Sequence, residues 1–394
     1  MKKINARTLW EILFVSTRLG LTSFGGPTAH LGYFHEEYVR RRKWIDEQSY
    51  ADLVALCQFI PGPASSQVGI GIGAARGGVI GGLLAFLGFT LPSVIALILF
   101  ALLLQGGNIA ETGWIHGLKL VAVAVVAHAI LGMAEKLAPD LKRKAIVLAA
   151  LAVVLLWQAV FVQVLVIAAA ALIGFFLYPK HDSKTVRPFI FPLSRAFGIA
   201  CLLLFFALLV CLPLLRQATG LDWLALFDSF YRSGALVFGG GHVVLPLLER
   251  EFVSAGWLTA EQFLAGYGAA QAVPGPLFTF AAYIGAVIDG WKGGLLATAA
   301  IFLPAFLLVF GILPFWDKLR RRPAVQGALM GVNAAVIGLL IAAFYMPIWT
   351  SSITRPLDFV FAAILFSLLA HWKLPAWVVV MVGAFGGAFL SIFM

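Results

Sequence analysis

"CQFIPGPASS" (residues 57–66) and "AQAVPGPLFT" (residues 270–279) each set a Gln, two further residues and then Pro-Gly-Pro inside apolar sequence. Proline removes a backbone donor, and lipid satisfies no orphaned backbone group. Two such breaks in one chain mark places where backbone is covered by protein or lines a cavity, and the fold is read outward from them.

The surroundings are those of a membrane protein. Of the 394 residues 61% are hydrophobic and 12% charged, with a mean hydropathy of +0.97, against about 25% charged in soluble domains. Apolar runs recur over 79–104, 121–134, 145–178, 196–215, 293–315 and 377–394, most of them longer than the ~18 residues that mark a span. The expected fold class is an all-α polytopic protein of the inner (plasma) membrane, its partner the bilayer, with no separate soluble domain. The net charge of +10 would suit nucleic acid, but the Lys and Arg residues lie in short loops, where they set orientation instead. No nucleic-acid partner is expected. Cys57, Cys201 and Cys211 stand singly without metal-ligand spacing, so they read as small buried hydrophobes, with no metal and no cofactor implied. The start, "MKKINARTLWEILFVSTRLG", imitates a signal peptide, but Arg18 interrupts its apolar run and no small-residue cleavage site follows. It reads as an uncleaved first segment.

The second half repeats the first. Arg18, Gly20, Phe24-Gly25-Gly26 and Glu37 recur 214 residues on as Arg232, Gly234, Phe238-Gly239-Gly240 and Glu251. Trp44, Gln58 and Pro61-Gly62-Pro63 recur at 213 as Trp257, Gln271 and Pro274-Gly275-Pro276, and Leu91-Pro92 at 212 as Leu303-Pro304. The expected domains are repeat 1 (1–190), an unpaired helix (191–220) and repeat 2 (221–394).

Loop charges imply that the two copies are inverted, because cytoplasmic loops are enriched in Lys and Arg. Arg40 to Lys43 precede Trp44, whereas only Arg250, between Glu249 and Glu251, precedes Trp257. After the Leu-Pro helix the first copy has no Lys or Arg over 105–117, whereas the second has Lys318 and Arg320 to Arg322. An extra helix around 196–215 supplies the odd crossing that inversion needs. The N-terminus is then cytoplasmic and the C-terminus external. The short, broken region 18–77 and its copy are expected as helical hairpins or discontinuous helices that meet near the mid-plane.

The doubled set "FGGPTAH", Trp44, "QFIPGP", "GIGIGAARGG", "TLP", then "FGGGHVV", Trp257, "QAVPGP", "YIGAVIDG", "FLP" resembles the chromate ion transporter family in its long, two-domain form. The resemblance covers nearly the whole chain. It implies export of chromate, with sulfate as the natural oxyanion analogue, and chromate resistance for the cell.

Several residues are candidates to hold such an anion. Arg18 and Arg232 are symmetric charges within apolar segments, where a charge costs roughly 2.5–3.5 kcal/mol, and guanidinium forks match tetrahedral oxyanions; otherwise they snorkel or bond carbonyls at the FGG breaks. Pro63 and Pro276, after Gly62 and Gly275, suit first helical positions whose free N–H groups face the break. Ser65, Ser66 and Thr279 offer hydroxyls, and Gln58 and Gln271 either donate to the anion or cap loose carbonyls. Gly25, Gly26, Gly239 and Gly240 permit a backbone nest, or act as hinges. Gly69, Gly73 and Gly77, every fourth residue, read as a helix-packing face. Their stretch also imitates a dinucleotide fingerprint, but no strand precedes it. His30, His242, Glu37 and Glu251, with His35 and Glu36, either titrate during transport or are solvated loop groups.

A dianion leaving an inside-negative cell gains about 2.3 kcal/mol per charge per 100 mV, so efflux needs no coupled ion, though proton coupling can be added. Import would need core carboxylates, for which Asp228 and Asp289 are the main choices. The alternatives are a carrier of sulfate, another anion or an anionic lipid, and a membrane-embedded enzyme. HExxH and Gly-x-Ser-x-Gly are both missing from the sequence, which speaks against enzyme chemistry. A homodimer is a further expectation.

Overall fold

The computed structural model describes residues 5–24, 26–105, 113–157, 162–178, 194–238, 243–316 and 323–392. The first half runs α1 (Ala6–Thr22), α2 (Gly26–Phe34) continuing into a π-helical turn (His35–Arg41), α3 (Glu47–Phe59), α4 (Ala64–Gln105), α5 (Gly113–Leu137), α6 (Leu141–Leu156) and α7 (Val162–Leu177). After α8 (Arg195–Thr219) come α9 (Asp222–Ala235), α10 (Val244–Leu248) with its own π-helical turn (Glu249–Val253), α11 (Ala260–Ala272), α12 (Phe280–Ile312), α13 (Pro323–Ala343), α14 (Pro356–Ala370) and α15 (Ala376–Ile392). No strand occurs among the described residues. The elements from α9 onward repeat those of α1 to α7 in order, and α8 has no counterpart.

Even the irregularities recur. α3 and α11 are each 13 residues long, start at a side-chain N-cap (Asp46, Thr259) and end just before Pro-Gly-Pro. α4 and α12 are each interrupted, at Gly77–Gly78 and at Asp289–Gly290, and Gly78 and Gly290 take φ of +64° and +56°. Only glycine enters that left-handed region without strain. These interruptions turn the chain back on itself. The backbone of Gly73 packs on that of Gly81 and Gly82 lies beside the Ile70 carbonyl, just as Gly285 packs on Gly293 and Gly294 lies beside the Ala282 carbonyl. Gly73 thus sits at the close helix approach that the every-fourth-residue glycines suggest.

Length decides what each piece can do. A 13-residue helix is ~20 Å long at ~1.5 Å per residue, short of the ~30 Å hydrocarbon layer. α3 and the first arm of α4 are each too short to cross, and the second arm, from Gly78 to Gln105, is long enough to do so. Five described segments are long and apolar enough to cross a membrane: 64–104, 113–135, 195–219, 277–315 and 330–352. The hairpins occupy the first parts of 64–104 and 277–315. The apolar run 145–178 is too long for one straight span, and α6 ends within it at Trp157.

The two halves interlock. Gly82 lies beside Phe310, Phe86 packs edge-on against Phe302 and Phe306, and Gly294 lies beside Ile98. Residue numbers fall along α12 as they rise along α4, so the two equivalent arms cross antiparallel. Each half also lends its last helix to the other: α5 packs on α15 and α13 on α7. The crossings are made by Gly113 and Gly117 against Gly383 and Gly387, and by Gly327 and Gly331 against Ala170 and Gly174. Small residues four apart let backbones approach, which drives association where lipid removes the hydrophobic term. A Cβ on Gly331 would overlap the Ala170 carbonyl, whereas nothing lies within 4 Å of one on Gly132. Gly331→Leu is expected to lower the melting temperature of the detergent-purified protein by the equivalent of about 3 kcal/mol or more, with Gly132→Leu unchanged within error. Equal melting of the two variants would refute this packing account.

α8 breaks the symmetry. It covers α9, with the Tyr231 hydroxyl donating to the Phe205 carbonyl at 2.9 Å and Gly198 set against Gly311 on α12. The corresponding face of α1, with Trp10, Phe14 and Leu21, is left exposed.

Candidate functional site

The two Pro-Gly-Pro turns and the two ends that lead into FGG meet in a reciprocal exchange. The Gly62 N–H donates to the Val237 carbonyl at 2.7 Å, and the Gly275 N–H donates to the Ser23 carbonyl at 3.0 Å. Ser23 and Val237 are equivalent under the 214-residue offset, as Gly62 and Gly275 are under 213. Reciprocal pairing of this kind is the mark of a two-fold relation. It also answers the backbone problem posed by the breaks, since donors freed by each turn are satisfied by the opposite repeat. Gly62 and Gly275 adopt φ of +122° and +111°, and a Cβ on Gly275 would stand 2.7 Å from Ser93 Oγ. The glycines are there for conformation and close approach.

Buried polar groups crowd this junction. Ser65 Oγ lies 3.3 Å from His30 Nδ1, and the His30 ring stacks edge-on against Phe89. Gln67 Nε2 donates to the Pro61 carbonyl at 2.7 Å. His30 Nε2, Ser23 Oγ, Ser66 Oγ, Thr90 Oγ1, Gln67 Oε1 and Gln271 Nε2 are buried with no partner among the described residues. Buried polar atoms are nearly always satisfied, so this set is built for water or a polar solute. Thr279, by contrast, spends its hydroxyl on the Pro276 carbonyl at 2.7 Å.

One of these orphans, Gln271, faces a cavity of about 460 Å³, within the ~300–1,000 Å³ of small-ligand sites. Its polar lining is Gly26, which starts the nine-residue α2, Gln271 at the end of α11, His128 on α5 and Lys373 in the α14–α15 loop. The Phe24 ring packs on Trp377 at 6.1 Å, which ties the FGG end to the start of α15. Lys373 is held at φ +53°, a left-handed position that glycine or asparagine usually takes. No carboxylate lines the space among the described residues. A helix N-terminus, an amide, an imidazole and an ammonium converge there, and such a set attracts an anion.

The other sequence candidates are distributed differently. Arg18 is exposed on the same face of α1 as Trp10, Phe14 and Leu21, and it does not line the cavity. Arg232 is neutralised: one guanidinium nitrogen lies 2.8 Å from Asp228 Oδ2 and 3.3 Å from Glu251 Oε2. The difference lies in Asp228, which stands where α1 has Phe14, and Arg216 of α8 reaches the same Asp228 at 3.5 Å. Glu37 is held by Arg42 at 2.7 Å and Arg41 at 3.7 Å, and His35 by Glu47 at 2.6 Å. Glu36 faces Arg40 and Arg41. Gln58 and Asp289 are exposed, while Pro63 and Pro276 are buried. Gly25, Gly239, Gly240 and His242 lie outside the described residues. His128 and Lys373 were not visible as candidates from the repeat, because His128 answers to Ala342 when Gly113 and Gly117 are set on Gly327 and Gly331, and Lys373 has no described counterpart.

The sequence profile of the chromate transporters matches residues 10–175 and again 224–388. The chain belongs to the chromate transporter family. It is 28% identical over 390 residues to a probable chromate transport protein of Synechococcus elongatus, covering 97% of this chain and 95% of that one. A chromate transport protein of Cupriavidus metallidurans is 29% identical over 342 residues, 85% of this chain and 82% of its own. An uncharacterised transporter of Methanocaldococcus jannaschii is 27% identical over 387 residues, 97% and 90% respectively. No solved structure matches the chain. In this chromate transporter family member the doubled profile match coincides with the doubled run of helices, and the gap between the two matches holds α8.

Proposed function

We propose that this protein carries a tetrahedral oxyanion dianion, chromate with sulfate as its analogue, out of the cytoplasm across the inner membrane and so confers chromate resistance. The carrying observation is the cavity beside the Ser23–Gly275 side of the two-fold junction, whose described polar lining holds donors and the Lys373 ammonium and no carboxylate. The names of the Synechococcus and Cupriavidus relatives, a probable chromate transport protein and a chromate transport protein, support chromate as the anion. Inverted topology is supported by the antiparallel crossing of α4 with α12, together with the opposite loop charges of the halves. In that orientation the Arg42 and Arg76 guanidinium groups that share Glu11 lie at the cytoplasmic end, and so does Lys373 at the mouth of the cavity.

Membrane potential supplies the drive, at about 2.3 kcal/mol per charge per 100 mV, so a dianion leaves without a coupled ion. Of the four proton-coupling candidates, His30 is the described one within the junction, since Glu37 and Glu251 are both engaged by arginines.

Everted membrane vesicles test the reading. Chromate uptake that collapses on depolarisation and is competed by sulfate is the expected result. Sulfate uptake without chromate uptake would select the sulfate-carrier reading, and no anion-dependent flux would sink both.

A further inference from the structure

A second cavity of about 490 Å³ lies between α6 and α7, with Ala335 of α13 at its floor. Its walls are small and apolar, formed chiefly by Ala145, Ala149, Ala169 and Ala170 together with Val153 and Val166. The one charged residue in the lining is Lys142, near the N-terminal end of α6. From Lys142 to Val153 the groove follows α6 for ~16 Å at ~1.5 Å per residue, about the depth of one leaflet, half of the ~30 Å hydrocarbon layer.

The duplication supplies an internal control. When α6 and α14 are aligned from their first residues, Lys142, Ala145, Ile146 and Ala149 correspond to Leu357, Val360, Phe361 and Ile364. In the second copy the Phe361 ring lies directly on Gly386 of α15. In repeat 2 the Phe361 ring occupies part of the place that repeat 1 leaves open, and Leu357 stands where repeat 1 has Lys142. Helix packing alone therefore does not require the opening.

The basic residues at the mouth are divided in role. Arg143 is committed: its Nε donates to Asp140 Oδ2 at 2.6 Å, and its backbone N–H caps Asp140 Oδ1 at 2.9 Å. That backbone bond, with the guanidinium, holds the Asp140 carboxyl down at about 2, so the pair stays formed at neutral pH. Lys142 and Lys144 are exposed on the same first turn and make no ion pair with any described residue. Two ammonium groups above an apolar, leaflet-deep slot match a phospholipid with an anionic headgroup, one acyl chain in the slot and its phosphate at the lysines.

We propose that the α6–α7 groove is a binding site for one anionic phospholipid. The proposal is independent of the anion carried by the junction.

The test is native mass spectrometry of the delipidated protein titrated with phosphatidylglycerol or phosphatidylcholine, each with the same acyl chains. One retained phosphatidylglycerol per chain, at least tenfold preferred over phosphatidylcholine, is expected for the wild type. Lys142→Gln/Lys144→Gln should remove the preference, and Ile146→Phe, which copies the Phe361 filling seen in repeat 2, should remove the bound lipid itself. Ala169→Leu fills the slot from the other wall should Ile146→Phe not fold. Equal retention of both lipids by the wild type, or phosphatidylglycerol retention unchanged in the filled variants, overturns the proposal. So does loss of a protein dimer, in place of a lipid, on filling the groove.

Discussion

Lys373→Glu is expected to lower chromate flux by roughly two orders of magnitude while the protein still inserts, and Lys373→Gln by about tenfold. The residue lines the mouth of a cavity whose polar groups are otherwise donors, and substitution by glutamate turns the only formal cation described there into an anion facing a dianion. A unit charge pair at ~4 Å is worth about 4 kcal/mol at an effective dielectric of 20. Lys373 is exposed, so screening reduces this to about 1.4 kcal/mol per unit of charge changed, a factor of ten each. Salt separates this role from that of Gln271. The Lys373 effect should shrink as ionic strength rises, whereas Gln271→Leu, which removes a buried donor, should cost the same at low and high salt. Initial rates in proteoliposomes, normalised to incorporated protein, read both. Wild-type flux in Lys373→Glu would remove the cavity from the transport path.

What was legible in the sequence was whatever the duplication repeats. The FGG and Pro-Gly-Pro breaks, the unmatched α8 and the hairpins follow from matched motifs, because backbone geometry is the part of a duplicated fold that both copies must keep. The Gly-x-x-x-Gly pairs at 113/117, 327/331 and 383/387 were equally readable, although which glycines meet depends on the exchange of last helices between halves. A search for symmetric residues is blind to what only one copy has. His128 answers to Ala342, and Lys373 gains its place from a loop turned by its left-handed backbone. Symmetry also overstated the likeness of Arg18 and Arg232. Their sequence contexts match, but Asp228, four residues before Arg232, answers to Phe14, and α8 covers only the second copy. The i,i+4 spacing of Asp228 and Arg232 was the available sign that this arginine has a carboxylate of its own.

That pairing leads to the second large effect. Arg232→Leu is expected to cost about 3–5 kcal/mol of stability, enough to remove most folded protein from the membrane, because it strands a buried carboxylate. Asp228 is 1% exposed, its Oδ2 has Arg232 at 2.8 Å and Arg216 at the longer 3.5 Å, and its Oδ1 is already without a partner. Glu251 loses a contact as well, but it is less buried and tolerates the loss better. Asp228→Asn/Arg232→Leu should therefore recover folded protein, since the charges it leaves unpaired, Arg216 and Glu251, are less buried than Asp228. Arg18→Ala, on an exposed face, should leave stability unchanged or raised, because a lipid-facing charge is itself a cost. Thermal melting in detergent, with flux measured on the folded variants, separates scaffold from ligand. Flux close to wild type in the folded double variant assigns Arg232 to holding α8, α9 and the π-helical turn together. A folded double variant without flux would return Arg232 to the anion path, and an Arg232→Leu protein as stable as wild type would refute the stranded-charge account.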